Sequence, residues 1–250
     1  MEGRSQTQVS KVNKDVGRWL SGRTNLAERL ASFLRLPSPI ALARVGHKLR
    51  YPLFASPFYR WMIKGNSIPN LAYTPSDPWL GDSSKGRDIL AGKIELAGQT
   101  ITNPAPLWSP LGAEPDWLKE FHSFSWLSSL RAAAGDQARR TAREMVKLWI
   151  SENNKWRPLI WEPSITGSRL YNWLGHYEFI GSSADIELRQ RIHDSMAQQA
   201  RYLSHCLPGG LSGVDLIRAI KGLLYAAVCL PEGDRWLQRA LRLLETELLV

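Results

Sequence analysis

The stretch from Pro115 onward constrains the fold most. It holds six apolar-periodic segments, at about 115–133, 136–152, 164–181, 184–205, 211–229 and 232–249, each bounded by Gly, Pro, Ser or Asp. Apolar residues recurring every three or four positions predict amphipathic helices. Asp136, Ser164, Asp185 and Asp234 stand where helix caps or first turns belong. The connections are short, so consecutive helices are expected to run antiparallel. In pairs they make hairpins of roughly 45–50 residues, the repeat length of α-helical arrays. The 211–229 segment is apolar nearly all round, through Leu216, Ile217, Ile220, Leu223, Leu224, Ala227 and Val228, which predicts a helix buried on most sides. The 184–205 segment has one stripe, Ile192, Met196, Ala200 and Leu203, which predicts an outer, half-solvated helix. An inner ring backed by an outer ring is the arrangement of α/α toroids. The expected fold class is therefore all-α, an α/α toroid portion over residues 115–250.

Upstream the chain changes character twice. Residues 65–114 are dense in Gly, Pro, Ser and Asn and read as an irregular linker. Within it "GKIELAG" and "QTITN" can pair as a short β-ribbon. Residues 1–64 read as a basic, partly helical segment, with "VGRWLSGRTNLAERLASFLRL" at helical spacing. They hold 12 Lys/Arg against 3 Asp/Glu, while the rest of the chain holds 20 of each, so the net charge of +9 belongs to this segment. Such a block either packs locally as a solvated arm or docks on an anionic polymer or membrane surface. Cys206 and Cys229 sit in apolar surroundings and read as buried thiols. No run approaches the roughly 18 apolar residues of a membrane span. "MEGRSQTQVSKVNKD" has no apolar signal region, which predicts a cytoplasmic protein, or a periplasmic one if translation starts elsewhere. At the other end "WLQRALRLLETELLV" reaches Val250 without a cap and reads as a chain cut short.

The chain has no GxSxG elbow, Walker loop or GxGxxG turn. His47, His122, His176, His193 and His205 show no HxH or HxxxH spacing, so neither metal nor cofactor is expected. The most unusual segment is "WEPSITGSRLYNWLGHYEF", Trp161 to Phe179. On a helix over 164–181, Arg169, Asn172/Trp173 and His176 share a face, with Tyr177 next to His176 on the same helix and Trp161 and Glu162 in the loop before it. Flat rings beside an Arg, an Asn and a His suit an anionic sugar, with aromatic faces on the pyranose and the guanidinium on its carboxylate or sulfate. The competing reading puts Trp173 and Tyr177 in the core and pairs Arg169 with Glu162. A second aromatic segment, "WLKEFHSFSWLSSL", places His122 and Trp126 on one face, His122 being either an acid/base group or a packed core histidine.

Five stretches, in order, resemble the N-terminal half of bacterial heparinase II/III-like proteins, closest to the alphaproteobacterial variety. They are "ARVGHKLRYPLFASPFYRWM", "GKIELAGQ", "LWSP…DWLKEFHSFSWLSSL", "WEPSITGSRLYNWL" and "LSGVDLIRAIKGLLYAAVCLPEGDRWLQRALRLLETEL". The resemblance implies an α/α toroid, followed in full-length relatives by a β-sandwich domain. It also implies β-elimination on uronic-acid polymers such as glycosaminoglycans. The resemblance further implies a Tyr and one or two His for proton transfer and an Asn or Glu that neutralises the uronate carboxylate. His122 falls on the toroid His of this resemblance, and Arg169, Asn172 and Trp173 fall on its "RxxNW". Its "GNHL" corresponds to "GVDL" here, with Val214 in place of Asn and Asp215 in place of His. The motif bearing the Tyr is absent. Two functions follow as expectations: the toroid of a polysaccharide lyase, this chain alone being inactive, or a non-catalytic domain binding anionic glycan. Non-specific nucleic-acid binding through the basic segment is a weaker third, since no recognition motif accompanies the charge.

Overall fold

The computed structural model describes residues 38–249, so the helix expected before Ser38 lies outside the described residues. The chain divides into two compact units, residues 1–43 and 44–250, and the second contains the hydrophobic core. Among the described residues the protein is mostly helical, with one two-stranded antiparallel ribbon. Helices α1 (Ser38–Leu49), α2 (Tyr51–Ala55) and α3 (Pro57–Lys64) come first. Helix α4 (Ser83–Leu90) follows, then strands β1 (Lys93–Leu96) and β2 (Gln99–Thr102), in the register Ile94↔Ile101. The remaining helices are α5 (Pro115–Ser123), α6 (Leu127–Ala133), α7 (Gly135–Asn153), α8 (Pro163–Gly175), α9 (Tyr177–Ile180), α10 (Ile186–Cys206), α11 (Gly213–Cys229) and α12 (Asp234–Leu248).

The periodic segments thus fold as helices within a residue or two of their expected limits, with two breaks. Phe124 adopts a left-handed conformation (φ 61°) that separates α5 from α6, and His176 divides α8 from the short α9. Of the four positions expected at caps or first turns, Asp136, Ser164 and Asp234 lie inside the first turns of α7, α8 and α12, whose N-terminal ends carry no side-chain cap. Asp185 caps α10. The Asp185 carboxylate accepts from the Leu188 amide at 2.7 Å.

The expected contrast between helices 184–205 and 211–229 is reversed. Helix α10 is mostly buried, whereas Val214, Ile217 and Val228 of α11 are exposed. The cause lies in residues 63–69, which cover the second side of α10. His193 bonds the Ile68 and Pro69 carbonyls, Asp194 accepts from Ser67, and Arg201 donates to the carbonyls of Ile63, Lys64 and Asn66 and pairs with Glu232. The polar residues that read as a solvated face are satisfied by a segment distant in sequence.

The stretch 65–114 is likewise held on the core. Ile68, Ile94 and Trp108 are buried, and α4 packs on α6 so closely that a Cβ on Gly86 would enter the Ser129 carbonyl. Helices α8 and α11 cross at Gly167 and Gly222, whose backbones touch without side chains between them. That crossing brings the polar edges of α5, α8 and α11 side by side. Cys206 and Cys229 are free, buried thiols, and burial pushes the Cys206 thiol up to about 12.

Candidate functional site

The residues expected to line a sugar groove are, with two exceptions, packed in the interior of the protein. Arg169 has no exposed surface. Its Nε donates to Gln199 Oε1 at 2.7 Å, Nη1 to the His122 and Ile160 carbonyls at 3.1 and 3.0 Å, and Nη2 to Thr166 at 3.3 Å. The guanidinium lies over the Trp149 ring, 4.1 Å from its centroid. No ion pair with Glu162 forms. The carbonyls and the ring stand in for an anion, and burial lowers the guanidinium to about 9.

Trp173 is enclosed edge-on by Phe124 and Trp149, with centroids at 5.2 and 5.4 Å. Trp161 is buried, packs on Tyr202 and donates to the Asn153 carbonyl at 3.0 Å. Buried Tyr177 bonds His193 Nε2 at 2.6 Å. Since His193 Nδ1 faces two carbonyls, that proton sits on Nδ1 and the tyrosine donates. His176 is buried, bonding the Asn172 carbonyl through Nδ1 at 2.9 Å, with Nε2 3.8 Å from the Asp77 carboxylate. Burial holds it below the ordinary histidine range.

His122 also lies inside. Nε2 donates to the Trp108 carbonyl at 3.1 Å, and Nδ1 accepts from Trp149 Nε1 at 3.0 Å. Both ring nitrogens are occupied. Burial first, and the Arg169 charge second, lower it to about 3. A histidine so placed is neutral at physiological pH and has no free nitrogen for proton transfer.

The two exceptions reach clefts. Trp126 is largely buried, donating to the Phe121 carbonyl at 3.0 Å, and its edge lines a cleft of about 250 Å³ beside the ribbon. Asn172 donates to the Ser123 carbonyl at 2.9 Å and lines a larger cleft of about 640 Å³, open to solvent between α5, α8 and α11.

That larger cleft is the candidate site, and sequence reasoning missed most of its surface. Its walls carry Asp116, Glu120, Glu162 and Asp215 against Lys119, Arg218 and Lys221. Lys119 pairs with Asp116 at 2.8 Å and Arg218 with Asp215 at 3.0 Å, each one helical turn apart. Lys221 Nζ lies 3.2 Å from the centroid of the Tyr171 ring. Glu162, at the mouth of α8, accepts from Ser164 at 3.2 Å, and burial raises its carboxyl above the ordinary range. Burial also carries the Tyr171 phenol up to about 12. A signal was available. Asp215, Arg218 and Lys221 follow an i, i+3, i+6 spacing, a polar stripe on an otherwise apolar helix. Among the described residues no three His, Cys, Asp or Glu side chains converge as a metal site, and no helix is long and apolar enough to cross a membrane.

Fold and cleft together define a helical domain with an open, charge-lined cleft. The chain is 28% identical over 156 residues to FtsZ-localized protein C of Caulobacter vibrioides (strain NA1000 / CB15N), a match covering 60% of this chain. It spans about a quarter of the length of that relative. No family model and no solved structure matches.

Proposed function

We propose that this is a heparinase II/III-like α/α toroid portion whose cleft binds a uronic-acid-containing polysaccharide without cleaving it. The observation that carries the reading is the cleft itself. The "RxxNW" and "GVDL" stretches, 40 residues apart in the chain, contribute Asn172 and Asp215 to one cavity. The toroid is supported by packing order. Helix α8 packs on α5, α10 and α11, and α11 packs on α10 and α12, the neighbour-on-neighbour contacts that stacked helix hairpins make. Sugar carboxylates would meet Arg218 and Lys221, and hydroxyls would donate to Glu162 and Asp215. Recognition is favoured over elimination because His122, the residue matched to the family's proton-transfer set, has both ring nitrogens bonded inside the core, away from the cleft.

The test is binding of the chain to alginate, heparin and a neutral glucan, with ultraviolet absorbance recorded for unsaturated uronate ends. Salt-sensitive binding to an acidic polymer is expected, with no new absorbance. Lys221→Ala should weaken it about tenfold, the loss of one charge-assisted bond worth roughly 1.5 kcal/mol. New unsaturated ends would refute the non-catalytic assignment, and absence of binding to any acidic polymer would refute the cleft assignment.

A second reading rests on the 156-residue match, whose relative is by name FtsZ-localized: the shared helical segment takes part in localisation with FtsZ. A fluorescent fusion that stays uniform while FtsZ forms rings in the same cells would remove it.

A further inference from the structure

Helix α3 carries two apolar faces. Tyr59 and Ile63, one turn apart, are buried in the core. Phe58, Trp61 and Met62, at i, i+3 and i+4, share a face that stays in solvent, with Phe58 65% and Trp61 70% exposed. The Phe58 and Trp61 rings are 6.1 Å apart between centroids, so they form one surface rather than two scattered residues. Leu49 and Leu53, just upstream, are exposed as well. Single exposed apolar side chains are ordinary, whereas a contiguous set marks an interaction surface.

Charge identifies the partner. Arg60, Lys64 and Trp61 line a cleft of about 460 Å³ with Arg191 of α10. Asp194 is the carboxylate among its lining residues, and it already accepts from the Ser67 hydroxyl, the Ile68 amide and Gln190. Between Glu28 and Asp77 the chain contains no Asp or Glu, while Arg44, Lys48, Arg50, Arg60 and Lys64 fall in that interval. A soluble glycan would satisfy the cations and leave Phe58 and Met62 in water. An anionic bilayer takes both: aromatic rings enter the boundary between headgroups and acyl chains, and Lys and Arg stay with the phosphates.

We propose that the α3 face docks on an anionic phospholipid surface. Phe58, Trp61 and Met62 enter the interface, and Arg60, Lys64 and Arg191 hold headgroup phosphates.

The test is flotation of the 250-residue chain with vesicles of phosphatidylcholine alone or mixed with phosphatidylglycerol. The chain should float with the mixed vesicles, remain free of the neutral ones, and be released by salt. The double variant F58S/W61S should lower the partition coefficient about a hundredfold, roughly tenfold for each large apolar side chain withheld from the interface. R60E/K64E should abolish the preference for anionic lipid. All four side chains are exposed, so circular dichroism and the urea midpoint should match the parent. Equal partition into neutral vesicles would overturn the proposal. So would a folded F58S/W61S that floats like the parent, because vesicle binding would then belong to other basic residues. If the parent never floats and R60E/K64E instead loses binding to a soluble acidic polysaccharide, the cleft is a sugar site and the lipid assignment fails.

Discussion

Arg169→Ala separates the two roles that this arginine could play. A groove residue would lose ligand affinity and leave stability nearly untouched. The structure predicts the opposite. Truncation removes four hydrogen bonds and a guanidinium stacked on Trp149, all without solvent access. Gln199 Oε1 and the His122 and Ile160 carbonyls lose their Arg169 donors, each buried acceptor so orphaned costing about 1–3 kcal/mol. The cavity left by the side chain adds to this. Water admitted to the cavity offsets part of the loss, so a net destabilisation on the order of 4 kcal/mol is expected, at the upper end for single substitutions. That is a large share of the roughly 5–15 kcal/mol available to a domain. The assay is equilibrium urea unfolding followed by circular dichroism, with the slope checked against the parent so that midpoints compare like with like. Arg169→Lys should recover only part of the loss, because one ammonium cannot span the four acceptors. An Arg169→Ala protein within about 0.5 kcal/mol of the parent would refute this packing of the core, since that is the scatter of ordinary surface changes.

Further outcomes follow from the same packing. The folded state holds His122 neutral down to about pH 3, whereas an unfolded chain protonates histidine near 6.5. The unfolded state therefore binds more protons between those values, and stability should fall as pH drops from about 6.5 toward 3, by up to roughly 1.4 kcal/mol per unit for this group. Thermal midpoints of the parent and His122→Gln across that range test it; an equal acid slope in both would show that His122 is not responsible. Gly222→Ala should destabilise by about 2–3 kcal/mol or prevent folding, because the new methyl meets the Gly167 backbone, which has no rotamer with which to yield. A parent-like urea midpoint for that variant would refute the close crossing of α8 and α11.

The helices were legible because their signal is local. Apolar spacing and flanking Asp, Ser, Pro and Gly specify α7, α10, α11 and α12 almost to the residue, and the paired β-ribbon follows from two short alternating runs separated by a turn. Burial of the thiols also follows from their surroundings. Which face of each helix meets water was not legible, because that depends on what packs there. Gln190, His193, Asp194 and Arg201 read as a solvated stripe until residues 63–69 supply carbonyls, a hydroxyl and the Ile68 amide to them. The same applies to "RLYNWLGH". An Arg, an Asn, a Trp and a His suit a sugar and equally suit a core that presents three carbonyls, a glutamine and aromatic edges. The sequence determined where the helices begin and end and where the charge accumulates. Only the tertiary structure decided that Arg169 and His122 face inward while Glu162, Asp215 and Lys221 face the cleft, because the burial of a polar group depends on whether distant backbone can satisfy it.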